Sequence, residues 1–305
     1  MTDSECIVKA EKLTKAYGND IVVDSIDMTI HKGEVFGFLG PNGAGKTTTI
    51  GMMVGLIEPT AGKCFVNGID VTRKPMDAKR IIGYLPDGVG FYQGLTARQN
   101  LEYFAKLYEM KDADTRITRL LEYVGLSGVE KPSGGFSRGM RQRLGLAAAL
   151  LNDPEVIIMD EPTNGLDPGG VIRFRNIIAD QAKAGKTIIF SSHILEEVQH
   201  VCTTVGIISS GKMIARGTVE DVKRQMSGGE DVTIILRTLE HMPHLEDPRI
   251  IDAAYNDGSA VVRAKGDIRG DISIELQNKG IHLKELRLKE ESLEDVFLRT
   301  VYGGE

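Results

Sequence analysis

The sequence predicts an α/β protein: a large domain on a parallel-sheet core, followed by a small unit of strands and helices. Three observations carry this. Over the first 220 residues, short apolar runs alternate with longer helical patterns. The runs Glu34–Leu39, Val156–Met159 and Thr187–Phe190 show no polar alternation, as strands buried on both faces do not. Around Gln225–Glu230 the texture changes, and Ser227-Gly228-Gly229-Glu230 reads as a linker.

Taken in order, Glu34–Leu39 is a strand. A glycine loop follows, and an apolar helix runs from Lys46 to about Ile57. Arg98–Glu109 is a helix with Leu101, Phe104, Ala105 and Tyr108 on one face. Arg141–Leu151 is another, stopped by Asp153-Pro154 before the strand Val156–Met159. Ile172–Ala184 is helical up to Gly185, and Thr187–Phe190 is again a strand. Beyond the linker come strands at Val232–Leu236 and Ala260–Ala264, a helix at Ile268–Lys279, an alternating strand at Ile281–Leu288 and an amphipathic helix at Leu293–Val301. The expected domains are therefore 1–225 and 226–305.

Composition excludes several classes. Of 305 residues, 41% are hydrophobic and 26% charged, enough for a normal core and against global disorder. A net charge of -6 argues against a chain that chiefly binds nucleic-acid backbones. The longest apolar runs, Ile50–Ile57 and Leu144–Leu151, are far shorter than the ~18 residues a membrane span needs. Met1–Glu5 lacks the basic-then-apolar start of a signal peptide. Cys6, Cys64 and Cys202 are odd in number and widely spaced, which excludes a disulfide framework and suits a reducing cytosol. His241-Met242-Pro243-His244 is too sparse for a copper site. The expectation is a chain that cannot cross a membrane alone.

Two segments carry chemistry. The run Gly40, Pro41, Asn42, Gly43, Ala44, Gly45, Lys46, Thr47 matches GxxxxGK[ST] between a strand and a helix, with Thr48 next in the helix. Gly43 and Gly45 let the backbone aim N–H groups at phosphate oxygens, and the helix N-terminus adds partial positive charge. Lys46 is expected on the β- and γ-phosphates and Thr47 on Mg²⁺. The strand Val156–Met159 ends in Asp160 and Glu161, at the crevice where α/β proteins bind ligands. Asp160 is the expected holder of Mg²⁺, and Glu161 the group that orients or deprotonates an attacking water.

The residues around these sites narrow the family. Phe136-Ser137-Arg138-Gly139-Met140, then Arg141-Gln142-Arg143, resembles the signature of ABC transporter ATP-binding subunits, usually LSGGQ and then QQR. Arg138 and Met140 depart from it, and this form resembles variants in subunits that serve type-2 export permeases. Ser133-Gly134-Gly135 also reads SGG, but it lacks the following helix at the right spacing and is expected to be a flexible approach loop. Asn164-Gly165-Leu166-Asp167 resembles the D-loop, and Ser191-Ser192-His193 resembles the H-loop. Tyr17 resembles the aromatic residue that stacks on adenine. After Pro86 the family usually has Gln, which ligates Mg²⁺; here Asp87 stands there. Glu291–Leu298 resembles the end of many export-type subunits.

The resemblance covers about residues 5–225 and implies a P-loop NTPase ABC cassette. Its parallel-sheet core would carry an antiparallel β subdomain and a helical subdomain near 90–160, with a small C-terminal α+β domain after it. It implies ATP and Mg²⁺ sandwiched in a homodimer. Each site would take Tyr17, the loop 40–48, Asp87, Asp160, Glu161 and His193 from one chain, and Ser137 and Gly139 from the other. Thr47, Asp87 and Asp160 would hold the metal. The implied partner is a membrane permease, which puts the chain on the cytoplasmic face of the cell membrane and the transport in the export direction. Gly88–Gly94, with Phe91 and Tyr92, would receive the permease's coupling helix. The alternative is a soluble ABC ATPase of DNA repair or translation. Against it, only about 90 residues separate Gly45 from Ser137, without heptads or a cysteine cluster, and there is one cassette. A purely regulatory ATP-binding subunit is opposed by the presence of both Glu161 and His193.

Overall fold

The computed structural model describes residues 6–226, 231–289 and 297. They fall into two compact units, one up to Val219 and one from Glu220 on. The first opens with the long strands β1 (Cys6–Tyr17) and β2 (Asp20–His31), which pair antiparallel. From Ile26 to Ile30 burial alternates residue by residue, the mark of a strand with one covered face. Then β3 (Val35–Leu39) is buried at every residue. It leads through the glycine loop into α1 (Lys46–Met53).

The sequence places the end of α1 near Ile57; the helix stops four residues sooner. Gly55 takes φ +67°, and the Leu56 and Ile57 N–H groups both donate to the Gly51 carbonyl. That closes the helix end before the apolar run is finished.

The short strands β4 (Ala61–Val66) and β5 (Ile69–Asp70) complete a four-stranded antiparallel sheet of order β2-β1-β4-β5. Next come α2 (Pro75–Ile81) and β6 (Ile82–Leu85). The helical subdomain follows with α3 (Ala97–Leu107), α4 (Asp114–Tyr123) and α5 (Arg138–Ala149). α3 starts on a capping box in which Thr96 and Gln99 satisfy each other's backbone N–H. Leu101 and Ala105 of its expected face are buried, but Tyr108 is exposed. Ser133–Gly135 is not a loose loop. It is a 3₁₀ turn whose Ser133 is 2% exposed and donates to the Tyr92 carbonyl, while the Gly134 N–H donates to the Gln93 carbonyl.

The strands β7 (Val156–Met159) and β8 (Thr187–Ser192) are buried throughout. α6 (Pro168–Lys183) lies between them in sequence, starting four residues before Ile172 because Asp167 caps it and Pro168 fits its first turn. α7 (Leu195–Val201), β9 (Thr204–Ser209), β10 (Lys212–Gly217) and α8 (Val219–Met226) follow. The central sheet has order β10-β9-β3-β8-β7-β6, parallel except for β10 against β9. The carboxyl ends of β3, β7 and β8 therefore sit side by side, which gathers the loop, the two acids and the histidine.

In the second unit, β11 (Asp231–Thr238), β12 (Ile250–Asn256), β13 (Ser259–Lys265) and β14 (Leu283–Lys289) form an antiparallel sheet of order β12-β13-β11-β14. α9 (Arg269–Asn278) supplies Ile272 and Leu276 to a core with Ile234, Leu236 and Val262. The helix expected at Leu293–Val301 lies outside the described residues except for Phe297, which is helical and buried.

Candidate active site

The glycine loop folds as its residue types demand. Gly45 stands at φ +102°, where L side chains strain, and a Cβ there would lie 2.7 Å from the Val22 carbonyl oxygen. A Cβ on Gly40 would meet the Ile208 carbonyl oxygen at 2.3 Å. Lys46 is 5% exposed, and its ammonium donates to the carbonyls of Gly40 at 2.7 Å and Pro41 at 3.2 Å. The loop thus wraps its own lysine, holding the charge where an anion's oxygens compete for it.

One acid meets this lysine from just beyond the end of β7. Glu161 Oε1 lies 3.2 Å from Lys46 Nζ, close enough for an ion pair but not aligned as a hydrogen bond. Glu161 Oε2 is 2.8 Å from His193 Nδ1. The three side chains form one line: cation, carboxylate, imidazole. Glu161 adopts φ +48°, a left-handed geometry that costs a non-glycine residue and is typical of functional turns. Asp160 is 1% exposed and accepts from Ser191 Oγ at 2.5 Å; the same oxygen accepts the Glu161 N–H at 2.9 Å. One serine on β8 therefore fixes both acids of β7.

Pro41, Asn42, Gly43, Gly45, Lys46, Thr47, Thr48, Asp87, Glu161 and His193 line a single cavity of about 380 Å³. Val22 and Asn164 complete it. Gly40, Ala44 and Asp160 are buried and do not line it. Tyr17 does not line this cavity; it is 51% exposed at the end of β1, with Lys15 Nζ 5.0 Å from its ring centre. Ser137 and Gly139 are also outside it. Ser137 caps α5, its Oγ accepting the Met140 N–H at 3.2 Å. Asp87 accepts from Arg138 and from Asn164, each at 3.3 Å. The unusual arginine of the signature segment thus holds the unusual acid of the same chain.

Burial first, then the Asp160 and Asp87 carboxylates, push the Tyr84 phenol up to about 12. Among the described residues no three His, Cys, Asp or Glu side chains gather as a metal cage. A hard cation that keeps waters and phosphate oxygens does not need one. The Thr47 hydroxyl, the buried Asp160 carboxylate and the exposed Asp87 carboxylate fit such an ion.

Sequence reasoning missed Ser191 as the tie between the acids, and it missed Glu197. Glu197 lies on α7 yet is 8% exposed, and it accepts from Thr163 and Ser192. Neither role has a spacing signal, because each ties together elements 31 or 34 residues apart.

A P-loop at the end of a parallel strand, facing acids and a histidine from neighbouring strands, defines a nucleoside-triphosphate-hydrolysing cassette. A family model described as ABC transporter matches residues 23–164. The bacitracin transport ATP-binding protein BcrA of Bacillus licheniformis is 37% identical over 308 residues, covering 98% of each chain. The linearmycin resistance ATP-binding protein LnrL of Bacillus subtilis is 35% identical over 304 residues, covering 96% of this chain and 97% of that one. A solved ATP-binding subunit of an ABC transporter is 30% identical with TM-score 0.68, over 73% of this chain and 93% of its own. The chain belongs to the ATP-binding subunits of ABC transporters, and it is an ATPase. Among its described residues no helix is long and apolar enough to cross a membrane.

Proposed function

We propose that this ATPase drives a separate membrane permease in export, with Glu161 as the residue that orients and deprotonates the attacking water. The observation that carries the reading is the line Lys46–Glu161–His193 in one cavity, at 3.2 and 2.8 Å. Lys46 neutralises charge that develops on the transferred phosphoryl group. His193 holds Glu161 and faces the terminal phosphate. Tyr17 offers an exposed ring for the adenine. Thr47, Asp160 and Asp87 would hold Mg²⁺, which supplies charge neutralisation at the phosphates. For Asp87 this requires release from Arg138 and Asn164.

Ser137 and Gly139 lie outside their own chain's cavity, which supports their use on a second copy's nucleotide. The aromatic group Phe91, Tyr92, Tyr103 and Phe104, with Tyr92 52% exposed, supports docking of a permease helix near Gly88–Gly94. With a permease partner the chain sits on the cytoplasmic face of the membrane. The names of BcrA and LnrL, bacitracin transport and linearmycin resistance, support export of an antibiotic-class molecule.

The test is Glu161→Gln, which keeps shape and removes the base. Turnover falls by about 10²- to 10⁴-fold while ATP binding stays within about threefold of wild type. Wild-type turnover in the variant overturns the assignment.

A further inference from the structure

Glu197 is a buried acid that the site as described does not use. It sits in the first turn of α7 and is 8% exposed. Among the described residues it makes no ion pair. What offsets its burial is a pair of hydroxyl donors on one oxygen: Thr163 Oγ1 at 2.6 Å and Ser192 Oγ at 2.9 Å from Oε2.

The two donors belong to different strands' ends. Thr163 lies two residues after Glu161, in the turn that follows β7. Ser192 is the last residue of β8 and directly precedes His193. Both are buried, at 7% and 1% exposure. Ser192 Oγ also accepts the Ile194 N–H at 2.9 Å, so its orientation is set from the far side of His193 as well. Glu161 is held at φ +48°, a geometry that persists only where the surroundings determine it. Ser191 fixes it at its N–H; the Thr163–Glu197 bond fixes the turn after it.

We propose that Glu197 is a positioning residue for hydrolysis. By holding Thr163 and Ser192 on one oxygen, it sets the turn of Glu161 against the strand end of His193 and so maintains their 2.8 Å contact. The inference rests on the reading that Glu161 and His193 act in hydrolysis.

Steady-state ATP hydrolysis by the full chain tests it. Glu197→Ala lowers kcat by about 10- to 100-fold and moves KM for ATP by less than about threefold. Glu197→Gln keeps an acceptor oxygen for both hydroxyls and restores kcat to within about threefold of wild type. In a His193→Ala background, Glu197→Ala lowers the residual kcat by less than about twofold, because the contact it maintains is already gone. Wild-type kcat in Glu197→Ala overturns the proposal, as does a full multiplicative loss on top of His193→Ala. If Glu197→Ala does not fold, Thr163→Val and Ser192→Ala decide: lower kcat at unchanged KM supports the proposal, and unchanged kcat in both overturns it. Glu161→Gln separates the two readings. If it turns over ATP like wild type, the catalytic assignment fails. If it is inactive while Glu197→Ala is normal, only the positioning role fails.

Discussion

Glu161 shows what single residues contribute here. Its carboxylate bridges a buried ammonium and an imidazole from a backbone geometry that few side chains tolerate. Gly45 is the complementary case, since its φ of +102° and the nearby Val22 carbonyl leave no room for a side chain. Gly45→Ala is expected to lower stability by about 1–3 kcal/mol and to abolish ATP binding, as thermal unfolding and nucleotide titration would report. The buried thiols set an alkaline limit. Cys64 is pushed up to about 12 by burial and then by Asp70, from an ordinary 9.0, and burial raises Cys202 as well. Above pH 9 the unfolded chain binds fewer protons than the folded one. Stability is therefore full below pH 9 and falls towards pH 12, by up to about 1.4 kcal/mol per pH unit for each thiol. Unfolding midpoints measured from pH 8 to 11 should fall, and Cys64→Ala should flatten the slope.

Elements decide which residues meet. The strands β3, β7 and β8 end together, so residues far apart in sequence line one cavity. The loop, the acids and His193 were legible because each directly follows an apolar strand, a local signal. The roles of Ser191 and Glu197 were not, since Asp160 and Thr163, which they bind, lie 31 and 34 residues away in sequence. The end of α1 was misjudged for a related reason: apolar residues continue past Met53, but the backbone turns at Gly55. The Ser133 turn was misjudged because its glycines signal freedom, while its hydrogen bonds to the Tyr92 and Gln93 carbonyls remove it. Helix starts were marked more plainly. Thr96→Ala removes the cap of α3 and should cost about 1 kcal/mol in chemical denaturation, with ATP hydrolysis by the isolated chain unchanged.

At the scale of the whole molecule, the chain supplies a cavity but not a closed site. Ser137 and Gly139 lie outside the cavity their own chain forms, and Asp87 is held by Arg138 and Asn164 of the same chain. We therefore propose two catalytic surfaces that close on ATP between copies, with hydrolysis reopening them and a permease receiving the motion. The small antiparallel unit has its own core around Ile234, Leu236 and Val262. The most direct measurement is light scattering on Glu161→Gln with ATP and Mg²⁺, run beside its single-turnover hydrolysis. The expected result is a stable nucleotide-bound dimer in which ATP remains intact. A variant that stays monomeric at saturating ATP, or that hydrolyses ATP at the wild-type rate, would contradict it.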